Sequence, residues 1–221
     1  EDGTTNNVFK KQFLARGCTL ALAPCCAIVS IADTVLGIGA SLATISTLGM
    51  HRPTCRFALC HLDSFRIIIA QPYINLLKSI NPEVKLTSNT FSNNAHTRYL
   101  QSLVADKYPK IGASGDGFIT DFAHESLKDV ARYFYNSDGF FKRHIATRLT
   151  YVLLAISSVI TRIADGIIGV IAAPLSFITF GKVESINNLA YRALQTPGII
   201  GDIFYCGIKF INPWAGTRQI K

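Results

Sequence analysis

Four stretches of this chain contain no Asp, Glu, Lys or Arg, and they fall in two pairs around single aspartates. Residues 17–32 and 34–50 flank Asp33, while residues 149–161 and 166–181 lie on either side of the Arg162–Asp165 stretch. Segments so poor in charge cannot form a water-facing surface. They must be buried all round or lie in lipid. Whatever the chain folds into has to accommodate these two apolar blocks first.

The blocks resemble each other in detail. Ile31-Ala32-Asp33 recurs as Ile163-Ala164-Asp165, and Gly37, Ala40, Thr47 and Gly49 match Gly169, Ala172, Thr179 and Gly181, all 132 positions on. Further along, Lys78-Ser79-Ile80-Asn81-Pro82 corresponds to Lys209-Phe210-Ile211-Asn212-Pro213, now 131 positions on. The pairing of Phe65-Arg66 with Tyr191-Arg192 is a weaker suggestion of the same series. An ordered set of matches at one spacing marks an internal repeat. The expected organisation is repeat one over 9–82, a polar helical spacer over 83–140, and repeat two over 141–213.

Asp is a favoured helix N-cap, because its carboxylate accepts from the first free backbone amides. Asp33 and Asp165 are therefore expected to break each block into a hairpin of two helices. Gly37 and Gly169 would lie one turn into the second arm, where a missing side chain permits close helix approach. Pro174 is expected to bend or end that arm in repeat two. Arms of 13–17 residues fall short of the roughly 20 needed to span a bilayer, so a re-entrant hairpin fits better than two full spans. The flanking charges agree with both hairpin ends lying on one face. Lys10, Lys11 and Arg16 precede the first block, with Arg52 and Arg56 after it. Lys142, Arg143 and Arg148 precede the second, with Lys182 after it. The competing expectation is a soluble bundle whose central helices are fully buried. Arg162 favours it, since it lies three residues before Asp165 and can pair with it on one helix face.

Apolar spacing predicts further helices. One runs from Phe57 to Ala70 with Pro72 breaking it, then Tyr73–Ile80. In repeat two, Asn187–Leu194 is a short helix stopped by Pro197-Gly198, and Ile199, Ile200, Ile203, Phe204, Ile208 and Ile211 keep helical period beyond it. In the spacer, Thr87–Asn94 has loop composition, Ala95–Tyr108 is helical up to Pro109, and Gly112–Gly117 is a connector. Thr120 or Asp121 is expected to cap a helix with Ala123, Leu127, Val130 and Phe134 as its apolar stripe, stopping near Asn136. Strand signals are almost absent. The predicted class is all-α.

Charge narrows the partners. Only 16% of residues are charged, against 49% hydrophobic, and the net charge is +8. An ordinary soluble domain is nearer 25% charged. The excess sits in the repeats: 9–82 has seven basic and two acidic residues and 144–221 has seven and three, while 83–143 has eight and seven. Basic residues flanking apolar runs suit an anionic membrane surface. No nucleic-acid-binding motif accompanies them. Lys10, Lys11 and Arg16 ahead of an apolar run also resemble a signal-peptide start, but the run is too long and the pattern recurs internally. Among the six cysteines, Cys18, Cys25 and Cys26 lie in an apolar run where a thiol acts as a small hydrophobe, so reduced thiols are expected.

Catalytic and metal signatures are weak. His51, Cys55, Cys60 and His61 are zinc-binding types at a spacing that fits no finger or ribbon. The run 112–117 is followed by no Gly-Lys-Ser/Thr, and Ser114 is not in a Gly-x-Ser-x-Gly elbow. His124-Glu125 lacks a second His and suits a solvated helix face. Asp116 and Asp121 lack the remaining ligands of a calcium loop. No cofactor, metal or catalytic residue is assigned.

Paired apolar lobes with a short break and basic flanks resemble, over 17–50 and 149–181, the bilobed hydrophobic domains of chlamydial inclusion-membrane proteins. Arg162-Ile163-Ala164-Asp165 and Ile208-Lys209-Phe210-Ile211-Asn212-Pro213 also resemble parts of paralogous proteins of chlamydia-like bacteria. The resemblance implies a bacterial protein in a bacterial membrane, or secreted to a host-derived one, that acts through partners and has no catalytic residues to carry over. The expected function is non-enzymatic membrane association with protein interaction or self-association. The alternative is a soluble helical bundle serving as a binding module or lipid carrier.

Overall fold

The computed structural model describes residues 13–86, 95–104 and 117–216. They form an all-α protein with no strand among the described residues. The elements in chain order are α1 (Ala15–Ser46), α2 (Arg52–Leu62), a 3-10 turn (Asp63–Arg66) and α3 (Ile67–Ile80). Then come α4 (Ala95–Val104), α5 (Ile119–Tyr135), a π-helical turn (Phe141–Ala146) and α6 (Thr147–Ile178). Finally there are α7 (Glu184–Ala193), a second 3-10 turn (Thr196–Gly198) and α8 (Ile199–Ile211). Lys10, Lys11, the predicted loop 87–94, the end of the helix predicted to Tyr108, and positions 112–116 of the connector lie outside the described residues. None of the six cysteines is in a disulfide.

The predicted hairpins are corrected. Each apolar block is one unbroken helix of 32 residues, and Asp33 and Asp165 sit inside it rather than at a break. Neither carboxylate needs to cap its own helix, because donors reach it from other elements: Ser64 reaches Asp33, and residues 119–120 reach Asp165. Pro174 does not end α6, which runs on to Ile178. Pro72 likewise lies inside α3, and the break falls earlier, at Asp63–Arg66. At 1.5 Å per residue, 32 residues extend about 48 Å, more than the roughly 30 Å of a bilayer's hydrocarbon. Ala15–Ser46 and Phe141–Ile178 are both long and apolar enough to cross a membrane. Among the described residues, the basic groups before and after each block therefore lie at opposite ends of its helix and not on one face.

The two halves match element for element. The long helices start and stop 132 positions apart, and both end in a Schellman turn. Gly49 N donates to Thr44 O and Leu48 N to Ile45 O, as Gly181 N does to Ser176 O and Phe180 N to Phe177 O, each at 2.9 Å. Leu48 (φ 49°) and Phe180 (φ 50°) are left-handed, a conformation costing a non-glycine residue roughly 1–2 kcal/mol. This turn presents their carbonyls outward, and the opposite half takes them. Asn212 Nδ2 donates to Leu48 O and Asn81 Nδ2 to Phe180 O, both at 3.0 Å. Each asparagine also holds its own turn, Asn81 Oδ1 accepting from Glu83 N and Asn212 Oδ1 from Trp214 N. The Asn-Pro repeats are thus reciprocal hooks. The pairing of Phe65-Arg66 with Tyr191-Arg192 is corrected: by register Arg66 corresponds to Gly198, and Tyr191-Arg192 belong to α7.

The hooks also fix direction. α1 runs antiparallel to α2–α3, with Gly37 against His61-Leu62 and Cys26 beside Asn75. α6 does the same with α7–α8, Gly169 lying against Ala193-Leu194. The end of α8 meets both the C-terminal end of α1, through Leu48, and the N-terminal end of α6, where Arg148 approaches Ile211 O at 3.5 Å. α1 and α6 therefore point in opposite directions, as in halves related by a twofold axis across the helices.

Little covers the long helices. Only 22% and 28% of their most apolar windows are buried. Leu20, Ile28, Val35 and Leu42 on α1, and Ile156, Ile160, Ile167 and Val170 on α6, are exposed. The helix faces turned inward are instead small and polar: Ser30, Gly37, Ser41 and Thr44 on α1, and Ser158, Gly169, Ala172 and Ser176 on α6. A Cβ on Gly37 would lie 2.6 Å from Leu62 N, whereas one on Gly39 meets nothing within 4 Å. Gly37→Ala should therefore lower the melting temperature in detergent, by an overpacking cost of about 1–3 kcal/mol. Gly39→Ala, on the same helix, should leave it unchanged or raise it through better helix propensity, worth roughly 1 kcal/mol.

Candidate functional site: a buried ionic cluster between the halves

Behind these polar faces the interior holds charge. The two 3-10 turns pack on each other at the centre, and Asp63, Arg66, Arg162 and Asp202 are all buried around them. Arg162 Nε donates to Asp202 Oδ2 at 2.9 Å and its Nη1 to Gln195 O at 3.1 Å. Arg66 Nε reaches Asp63 Oδ1 at 2.9 Å, and Arg98 from α4 pairs with Asp63 Oδ2. Arg192 of α7 holds Asp121 of α5 at 2.9 Å. Burial pulls the Arg66 guanidinium down to about 10, with Arg162 acting in the same direction and Asp202 opposing.

Gly198 makes the centre possible. A Cβ there would lie 2.9 Å from Arg66 Cβ and 3.2 Å from Arg162 Nη2. Because Arg66 and Gly198 are counterparts lying against each other, the space holds one side chain and not two. The same economy separates Arg162 from its counterpart Ser30. The expected Arg162–Asp165 pair is corrected accordingly: Arg162 turns to Asp202 of α8, and Asp165 turns to α5. Asp165 Oδ1 accepts from Ile119 N at 2.9 Å, and Oδ2 from Thr120 N at 3.1 Å and Thr120 Oγ1 at 2.7 Å. It does cap a helix, but the cap is tertiary. Neither Thr120 nor Asp121 caps α5, whose start carries no side-chain cap of its own.

Asp33 is held more loosely. Ser64 Oγ lies 3.4 Å from its Oδ2 and His61 Nε2 3.9 Å from its Oδ1, and its side chain is 18% exposed against 1% for the whole of Asp165. Among the flanking basic residues, Arg16, Lys142, Arg143 and Lys182 are exposed and Arg52 and Arg148 partly so. Arg56 is corrected from a membrane flank to a core group: it is buried, its Nε donating to Gly216 O at 2.9 Å and its Nη1 to Ser102 O. Arg143 lies over the Trp214 and Tyr135 rings. Cys55, Cys60 and His61 are buried and His51 is exposed. No three His, Cys, Asp or Glu among the described residues are grouped to hold a metal.

His124 is also corrected, from a solvated face to the interior. The inward face of α5 is Thr120, His124 and Ala131 with Leu127, one position round from the predicted stripe. His124 Nε2 lies 2.5 Å from Ser158 Oγ and 3.9 Å from Asp202 Oδ2. A serine, a histidine and an aspartate thus meet, but not as a catalytic triad. Both contacts use the same ring nitrogen, Nδ1 has no partner among the described residues, and Ser158 Oγ donates to Leu154 O at 2.7 Å. A triad needs the aspartate on the nitrogen opposite the serine.

Asp63, Arg66, Arg98 and Asp202 escaped the sequence reading. The available signal was the one that singled out Asp33: Asp202 is the lone acidic residue in an otherwise apolar helical stretch.

Burial lowers the His124 imidazole from 6.5 to about 4, with Asp202 opposing and Lys128 and Arg162 assisting. Above pH 6.5 the ring is neutral folded and unfolded. As pH falls from 6.5 towards 4 the unfolded chain takes up a proton that the folded one refuses, so stability is lost. Burial shifts His61 in the same direction. Denaturation in detergent at pH 7.5 and pH 4.5 should show a marked loss at the lower pH. That loss should shrink in His124→Gln.

No protein-family model, curated protein or solved structure matches this chain.

Proposed function

We propose that this is a non-enzymatic membrane protein, bacterial by its resemblance, whose α1 and α6 lie in lipid and which acts through contacts with membrane and protein partners. One observation carries the reading: the molecule is apolar outside and ionic inside. Ten large aliphatic side chains on α1 are exposed, while Arg56, Arg66, Arg162, Asp63 and Asp202 are buried. Moving each such aliphatic group out of water is worth about 1.5–3 kcal/mol. Charged groups in membrane proteins face the protein interior and pair there. The exposed basic groups near the ends of the long helices, Arg16 and Lys182 at one end and Lys142 and Arg143 at the other, suit headgroup contact. A soluble bundle or lipid carrier would instead bury its apolar helices.

Expressed in bacteria, the chain should pellet with membranes, stay there through alkaline carbonate, and be released by detergent. A monodisperse protein in the supernatant without detergent would overturn the reading in favour of a soluble bundle.

A further inference from the structure

The halves differ in one respect that points to a partner. α6 is covered by its own α7 and α8 and also by α5, whereas α1 is covered by α2 and α3 with no counterpart of α5 among the described residues. α5 seats on three residues of α6: Asp165, which caps its first turn; Ser158, which meets His124; and Leu154, in the core cluster with Leu127. The same positions of α1, 132 earlier, are Asp33, Cys26 and Leu22. They keep the order of carboxylate, small side chain and leucine, with Cys26 also met by Asn75 of α3. Leu154 is 0% exposed and Leu22 50%. α4 packs mainly on α2, with His96 beside His61, and makes at most slight contact with α1.

We propose that this face of α1 is a docking groove for an amphipathic helix of a partner protein, seated with its N-terminus on Asp33. The chemistry of the occupant follows from α5. Its first-turn amides meet the carboxylate, where a helix's positive end favours an anion, and an apolar stripe continues over Cys26 and Leu22. Among the described residues the donors to this carboxylate in an apolar helix lie at 3.4 and 3.9 Å, a loosely held site. Its counterpart Asp165 has three donors within 3.1 Å. A second copy of this chain is a poor source, because its α5 already occupies its own α6. The proposal deepens the reading of an interaction protein and rests on it, but it needs no lipid, so the two fail separately.

The probe is an acetylated, fluorescently labelled peptide of residues 117–135, added to the full chain in detergent micelles and followed by anisotropy. Binding should be saturable and weaken at least tenfold in Asp33→Asn. Leu22→Arg, away from the carboxylate, should weaken it comparably, while circular dichroism shows both variants folded. A peptide carrying Thr120→Pro removes both a capping amide and the Oγ1 donor within the first helical turn, where proline is tolerated, and it too should bind at least tenfold more weakly. Equal binding of both peptides, binding lost in Asp165→Asn but kept in Asp33→Asn, or no saturable binding would each overturn the proposal. The last result would leave the face to lipid.

Discussion

Two helices of 32 residues set the terms for everything else in this molecule. The longest element that covers either is α5, with 17 residues and a length of about 25 Å against about 48 Å. The remaining helices cannot enclose the long ones in an ordinary hydrophobic core. The fold resolves this by inversion. The long helices turn mostly serine, threonine, glycine and alanine inward, with Leu154, Arg162 and Asp165 on α6, and leave most of their Leu, Ile and Val exposed.

The inward arrangement then becomes polar. Once the interior faces carry hydroxyls and glycines, the centre can hold Arg162–Asp202 and Arg66–Asp63, with Gln195 O satisfying a further guanidinium hydrogen. Such pairs cost desolvation, and breaking one by removing a partner typically costs about 3–5 kcal/mol. They fix which element faces which. Arg66 from one half lies against Gly198 and beside Arg162 of the other, so the halves meet in a single register.

Several residues of the two matching motif series have a backbone reason to recur. Gly49 and Gly181 close Schellman turns, Asn81 and Asn212 hook the opposite half, and Gly37 and Gly169 admit a neighbouring helix. The helix class and most of α7 and α8 were legible from apolar period. Asp33 and Asp165 were misjudged because capping preference is a local rule, whereas their donors come from residues 31 and 45–46 positions away in sequence. The charged centre was hidden for the same reason: Asp63 and Asp202 lie on separate elements, and nothing short of the fold brings Arg66 and Arg162 together. His124 and the inward face of α5 were missed because burying a histidine there depends on Ser158 of another helix.

The central claim is that the outer faces of α1 and α6 meet hydrocarbon while their inner faces meet protein. Spin labels placed singly along both helices, on a chain with its native cysteines replaced and reconstituted in bilayers, test this directly. At Leu20, Ile28, Val35, Ile160 and Ile167, collision with oxygen should be high and with a water-soluble nickel chelate low, repeating with helical period. At Ser30, Thr44 and Ser158 both should be low. Outer positions open to the nickel chelate, or closed to both reagents, would contradict the account.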